Sequence, residues 1–197
     1  MQGPVIRDNC RRIAYVLNGS IKYAFLGGAA VVLLGSRRVT SDLDIIVPNG
    51  TKARVIERLQ RQMQGFGRQE ASTRSWVLTP DNEAHNLDIL EAQEIYAEFA
   101  DNTSCEAVDG IRVMRPAAIL RTKIISWQSK ERKQEKTLTD AEDIAFLVGY
   151  MAAHRTKTNR RELDVADEDF FDEWLMRYPG TRESWRAIGM LGSRRAS

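Results

Sequence analysis

The run from Phe25 to Pro48, FLGGAAVVLLGSRRVTSDLDIIVP, constrains this chain more than any other stretch. A glycine pair, Gly27-Gly28, ends a short apolar run. Two carboxylates then stand two residues apart at the head of a second run, Asp42-Leu43-Asp44-Ile45-Ile46-Val47, which Pro48-Asn49-Gly50 stops. On a strand, successive side chains point to opposite faces, so Asp42 and Asp44 share one face while Leu43 and Ile45 take the other. Two neighbouring carboxylates repel unless a positive charge sits between them. Divalent cations such as Mg²⁺ accept oxygen ligands of this kind and combine one or two carboxylates with substrate phosphates. Asp-x-Asp alone reads more plainly as a strand end with two solvated aspartates. The glycine pair before it, and Arg38 between, turn the reading toward a metal site.

A third carboxylate, Asp88, lies in Asn86-Leu87-Asp88-Ile89-Leu90, where Leu87 and Ile89 take the opposite strand face. The plainer reading of Asp88 is a strand residue near an edge or turn. Taken together, Gly27-Gly28, the basic-to-acidic run Arg38-Val39-Thr40-Ser41-Asp42-Leu43-Asp44 and Asp88 resemble the signature of the DNA polymerase beta-like nucleotidyltransferase superfamily, and within it the minimal and abortive-infection (AbiEii-type) members. The pattern there is Gly-Gly, a helix, Arg-x-Thr-x-Asp-x-Asp on a strand, and a third carboxylate on a neighbouring strand. The glycines are not a Walker loop, since no Gly-Lys-Ser/Thr follows, and not Gly-x-Gly-x-x-Gly.

The resemblance implies in-line attack by an acceptor hydroxyl on the α-phosphorus of a nucleoside triphosphate, with pyrophosphate leaving and Mg²⁺ or Mn²⁺ as cofactor. Asp42, Asp44 and Asp88 are then the catalytic and metal-holding residues. Gly27 and Gly28 let backbone approach phosphate closely, with the N–H groups of the following helix turned to the anion. Arg38 reaches the β- and γ-phosphates by the same resemblance, and Arg37 is the surface arginine of the two. Thr40 and Ser41 bond phosphate oxygens or serve as turn residues into the strand. Lys123, in Pro116-Ala-Ala-Ile-Leu-Arg-Thr-Lys123, resembles the lysine that a family helix aims at the triphosphate. Thr139-Asp140-Ala141-Glu142-Asp143-Ile144 resembles a Lys-Asp-x-x-Asp-hydrophobic motif, with Asp140 as a nucleotide contact and Thr139 where the family has lysine. Asp140 and Asp143 lie one turn apart on one helical face, and Asp140 as a helix cap is the structural alternative.

The chain has 197 residues, a length suited to one medium domain or a compact core with a helical appendage. A net charge of +2 neither demands nor excludes a nucleic-acid partner. Cys10 and Cys105 make no Cys-x-x-Cys pair and read as free thiols in a reducing compartment. The N-terminus lacks the layout of a secretory signal and no apolar stretch approaches a membrane span, so a cytoplasmic protein without membrane contact is expected. His85 and His154 read as ordinary surface residues.

Hydrophobic spacing predicts a helix over 8–18 with Asp8 as N-cap, a strand over 23–27, and a short buried helix over 29–35. A strand over 42–47, an amphipathic helix over 51–63 and a glycine-containing loop over 65–67 follow. Strands are expected at 75–79 and 87–90 around Pro80-Asp81-Asn82, and a hairpin over 104–114 turning at Asp109-Gly110. Beyond Pro116 the pattern is helical: 117–128, 138–153, 167–178 and 182–191. Trp174 and Trp185, with Phe170, Phe171 and Tyr178, read as the core of the last pair.

The expected fold is α/β (α+β): a small mixed β-sheet nucleotidyltransferase core flanked by helices over 1–115, a C-terminal helical region over 116–191, and a disordered tail over 192–197. The expected function is metal-dependent transfer of a nucleoside monophosphate from a nucleoside triphosphate to an acceptor hydroxyl of RNA (such as a tRNA 3′ end), a protein or a small molecule. The basic run from Arg121 to Lys136 leans toward a polyanionic acceptor, and family members paired with antitoxins make an antitoxin-like partner a further expectation. The alternative is a nucleotide-binding regulatory protein of the same fold without transfer activity. A structural domain is the third reading, for which Asp42, Asp44 and Asp88 would lie scattered.

Overall fold

The computed structural model describes residues 3–68, 75–79, 83–92 and 105–192. The Pro80-Asp81-Asn82 turn and residues 193–197 of the expected tail lie outside the described residues. The chain forms two compact units, Met1–Arg115 and Pro116–Ser197.

The first unit is a mixed sheet flanked by helices, as the sequence pattern implies. Its elements run α1 (Gly3–Leu17), β1 (Ala24–Leu26), α2 (Gly27–Leu33), β2 (Asp42–Val47), α3 (Lys52–Gln62), β3 (Phe66–Arg68), β4 (Ser75–Leu78), β5 (Ala84–Glu91), β6 (Cys105–Val108) and β7 (Ile111–Met114). Among the described residues the sheet has seven strands in the order β3-β4-β5-β2-β1-β7-β6. β2 sits at its centre, antiparallel to β1 and parallel to β5. Leu43, Ile45, Val47, Leu87 and Ile89 alternate onto one face and are buried. Glu91 belongs to that same alternation, and its Oε1 accepts the N–H of Lys52 at 3.1 Å, which fixes the start of α3 on this face. Val55, Ile56 and Leu59 of α3 are buried with Ile6, Ile13 and Leu17 of α1. The β6–β7 turn takes positive φ at both central residues, 51° at Asp109 and 77° at Gly110, as a two-residue hairpin with right-handed strand twist requires.

The second unit holds α4 (Pro116–Gln128), α5 (Gln134–Ala153), α6 (Glu168–Arg177), a 3-10 turn (Pro179–Thr181) and α7 (Arg182–Ala187). Asp167 caps α6 by accepting the Phe170 N–H at 2.8 Å. Phe170, Trp174 and Trp185 are buried together, with Phe170 and Trp185 edge to face at 5.7 Å. These rings are core, not a stacking platform. Trp127 of α4 joins them 5.3 Å from Trp174, a contribution that its place in a basic stretch concealed. The indole N–H of Trp174 is satisfied by the Thr181 hydroxyl at 2.8 Å.

Several boundaries differ from expectation, each for a local reason. α1 begins at Gly3, because Ile6 and Cys10 extend the buried stripe by a turn; Asp8 is therefore inside the helix and does not cap it. α5 begins at Gln134, four residues before Leu138, whose exposed side chain does not mark the start of the buried stripe. α7 stops at Ala187, because Gly189 turns the chain with φ at 95°. The expected loop over 65–67 contains the short edge strand β3. There Gly67 pairs with Trp76, and a Cβ on Gly67 would lie 2.3 Å from the indole, so only glycine admits the ring. Cys10 and Cys105 are free thiols, and burial pushes both up from the usual thiol range.

His85 is not a surface residue. It sits on the buried face of β5 opposite Val77, and its Nε2 has no hydrogen-bond partner among the described residues. Burial lowers its pKa from the ordinary 6.5, while Glu83 acts in the opposite direction. A depressed pKa means that the folded state favours neutral imidazole, so the unfolded state binds more protons in acid. The corresponding stability is present above pH 6.5 and is lost as pH falls through the folded value. His85→Gln is therefore expected to lose less stability than the parent protein between pH 7.5 and 5. Urea unfolding at the two pH values checks this, and equal losses in the two proteins would remove His85 from the account. His154 is exposed and stacks on Tyr150 at 4.0 Å.

Candidate active site on the sheet of the first unit

The parallel register of β2 and β5 pairs Asp42 with Asn86 and Asp44 with Asp88. Parallel partners project to the same side, so all four polar residues stand on the sheet face opposite Leu43, Ile45, Leu87 and Ile89. Neighbouring strands lie about 4.8 Å apart, which brings Asp44 and Asp88 side by side. Asp42 and Asp44 are half-buried and Asp88 is exposed. Asn86 donates its side-chain N–H to Asp42 Oδ1 at 3.1 Å. Nothing in the sequence singled out Asn86; the usable signal was its position two residues before Asp88, hence on the same strand face.

The glycine pair comes to this cluster from β1. Leu26 is the register partner of Asp44, so the chain enters Gly27 beside the Asp44 carboxylate. Gly27 has φ at 61°, and a Cβ there would lie 2.2 Å from Asp44 Oδ2. A Cβ on Gly28 would lie 2.7 Å from Thr40 Oγ1 and 3.2 Å from Arg38 Nη2. The side chains of Asp44, Thr40 and Arg38 thus take the space a Cβ would fill, and all three abut the glycine pair. The first turn of α2 receives no side-chain cap from Leu26. Thr40 is buried, with its hydroxyl 3.4 Å from the Asp42 carbonyl. Ser41 and Arg37 are exposed.

Six candidates, Gly27, Gly28, Arg38, Thr40, Asp42 and Asp44, therefore fall within one continuous patch, with Asp88 on the adjacent strand. Their carboxylate oxygens are the donor type that Mg²⁺ or Mn²⁺ takes. Among the described residues, no group of three His, Cys, Asp or Glu side chains is gathered closely enough to hold a metal ion as it stands.

Lys123 and Asp140 lie in the second unit and meet each other there. Lys123 Nζ is 2.9 Å from Asp140 Oδ1 and 2.7 Å from Asp143 Oδ2. Arg132, which the sequence reading did not single out, reaches Asp140 Oδ2 at 2.8 Å. Both carboxylate side chains are 1% exposed and Lys123 is 12% exposed. One turn separates Asp140 from Asp143 on a single face of α5, as their spacing predicts. Asp140 is well inside the helix, which rules out the capping alternative. Thr139 donates its hydroxyl to the Glu135 carbonyl of its own helix at 3.0 Å.

No protein-family profile matches the sequence, and no curated protein matches it. Solved structures do. JHP933 from Helicobacter pylori is 18% identical and superposes with a TM-score of 0.61 over 95% of this chain and 88% of its own. The antibiotic-resistance factor ANT(2″)-Ia, in its solution structure, is 14% identical with a TM-score of 0.51 over 94% of this chain and 99% of its own. A crystal structure of ANT(2″)-Ia in complex with adenylyl-2″-tobramycin is 16% identical with a TM-score of 0.52 over 88% and 98%. The chain shares its fold with JHP933 and with ANT(2″)-Ia.

Proposed function

We propose that the protein transfers a nucleoside monophosphate from a nucleoside triphosphate to an acceptor hydroxyl and releases pyrophosphate. The observation that carries this reading is the approach of the bare Gly27-Gly28 backbone to Asp44, Thr40 and Arg38 beside the paired strands of Asp42 and Asp88. Gly27 and Gly28 let the start of α2 lie against Asp44, Thr40 and Arg38, and the N–H groups of its uncapped first turn would meet the triphosphate beside them. Arg38 would turn its guanidinium to the terminal phosphates, and the exposed Ser41 hydroxyl, with that of Thr40 turned from the Asp42 carbonyl, would meet the phosphate oxygens. The acceptor oxygen attacks the α-phosphorus, the bond from that phosphorus to the bridging oxygen of the leaving pyrophosphate breaks, and Asp88 takes the proton of the attacking hydroxyl. Asp42, Asp44 and Asp88 would hold Mg²⁺ or Mn²⁺, which supplies neutralisation of the attacking and leaving oxygens when bound. Lys123 and Asp140 enter this reading as the centre of an ion network, because their charges are satisfied within the second unit.

The ANT(2″)-Ia complex with adenylyl-2″-tobramycin makes an adenylyl group one to test for transfer and an aminoglycoside one acceptor to test. RNA 3′ ends and protein side chains are the other acceptor classes, and an antitoxin-like partner would be sought by co-purification. A second reading, nucleotide binding without transfer, draws on Thr139, which stands where the resembled motif has lysine.

The test is a labelling assay. Purified protein receives Mg²⁺ or Mn²⁺, each α-labelled nucleoside triphosphate in turn, and aminoglycosides, RNA or protein extract as acceptor. The Asp42→Ala/Asp44→Ala variant is expected to transfer at least about 100-fold less label, since its loss removes charge stabilisation aimed at the transition state. Nucleotide binding without label in any acceptor selects the second reading. Absence of both binding and label overturns both.

A further inference from the structure

We infer that a groove between α1 and the C-terminal end of α3 docks single-stranded RNA, apart from the carboxylate face. This surface stands independently of the transfer reading. The groove has a volume of about 450 Å³ and is lined by Arg11, Arg12, Tyr15, Gln62, Met63 and Gln64. It belongs to the helical layer on the Leu43 and Ile89 side of the sheet, whereas Asp42, Asp44 and Asp88 point to the other side.

Charge points to a polyanion. α1 and α3 together carry seven basic residues against two acidic ones, a net +5 where the whole chain carries +2; Arg11 and Arg12 line the groove itself, and Lys52 and Arg54 lie at the far end of α3. Much of that charge is spent. Arg7 bonds the Val32 and Leu33 carbonyls, Arg58 bonds the Val16 carbonyl, and Arg61 pairs with Glu57. Arg12 holds the wall of the groove together, donating to Asn9 Oδ1 at 3.0 Å, the Leu78 carbonyl at 2.6 Å and the Gln64 carbonyl at 2.5 Å. Arg11 is exposed and makes no ion pair or hydrogen bond among the described residues. Among the described residues its guanidinium has no partner, and it stands four residues before Tyr15 and so on the same helical face.

Tyr15 is the second element. It is 87% exposed, the most exposed large apolar side chain among the described residues. A phenol ring left in water beside that guanidinium, above a floor of Met63, supplies what an unpaired base and its phosphate need: a face to stack on and a cation. Gln62 and Gln64 add amide groups for base edges. A duplex hides its base faces, so the arrangement favours single strands. Because an acidic peptide would use Arg11 but has less use for the ring, Tyr15 decides the choice of partner.

Fluorescence anisotropy of the full chain with a labelled 12-nucleotide RNA of mixed sequence, without nucleoside triphosphate or metal, tests this. Binding is expected at low salt, falling steeply as salt rises. Arg11→Glu and Tyr15→Ala are each expected to weaken it about tenfold, and Arg160→Glu, an exposed charge in the second unit, less than twofold. All three positions are exposed, and thermal melts verify that the variants fold. No binding at 50 mM salt, or equal losses for all three variants, overturns the proposal. So does tighter binding of a poly-glutamate peptide than of RNA with Tyr15→Ala unaffected, which would assign the groove to an acidic protein partner.

Discussion

Replacing Lys123 by methionine is expected to destabilise the second unit by about 3–5 kcal/mol, the cost of breaking a buried ion pair from one side. Lys123 bridges Asp140 and Asp143, whose side chains are almost wholly out of water. With methionine, Asp140 keeps Arg132, but Asp143 retains a buried negative charge without that ammonium. For a unit of this size the melting temperature should fall by more than about 10 °C. Adding Asp143→Leu to Lys123→Met should recover most of the loss, since apolar replacements of buried pairs are often neutral or better. Scanning calorimetry of both variants checks this. A single variant melting within 2 °C or so of the parent would show instead that the ion pairs of Lys123 add no net stability.

Gly27→Ala should reduce label transfer at least about 100-fold, the scale of losing one preorganised electrostatic group. Two effects act there. An alanine with φ at 61° carries left-handed strain of about 1–2 kcal/mol, and its Cβ would sit 2.2 Å from Asp44 Oδ2, displacing that carboxylate. Gly50→Ala separates them. Gly50 has φ at 73° with nothing within 4 Å of a built Cβ, so the strain is present and the collision absent. Gly50→Ala should cost stability alone and transfer label as the parent does. Equal activity losses for the two variants would attribute the effect to strain and remove Gly27 from the site.

Much of the sheet was legible because alternation and turn chemistry are local. The strand over 42–47 and the Asp109-Gly110 hairpin needed only neighbours in sequence. Likewise the Asp167 cap and the buried aromatic core of the last helices follow from short-range pattern and bulk apolarity. Boundaries such as Gly3, Gln134 and Ala187 were not legible, because what is buried depends on the partner element. β3 escaped for the same reason: Gly67 weakens a strand pattern, and its justification is Trp76 on another strand. His85 looked like a surface histidine until β5 placed it among apolar neighbours.

The candidate site divides along the same line. Asp42 and Asp44 share a face by virtue of their spacing in a strand, and the sequence alone determines that, because a strand's period is two. That Asp88 stands beside Asp44, with Asn86 beside Asp42, was decided by the parallel register of β2 and β5, a pairing between segments more than forty residues apart. Tertiary structure also decided why the glycines must be glycines, since Asp44 and Thr40 occupy the space of their missing Cβ atoms. It likewise turned Lys123 and Asp140 from separate ligand candidates into partners. Charges far apart in a chain choose one another only once folding has removed the water that would otherwise satisfy them.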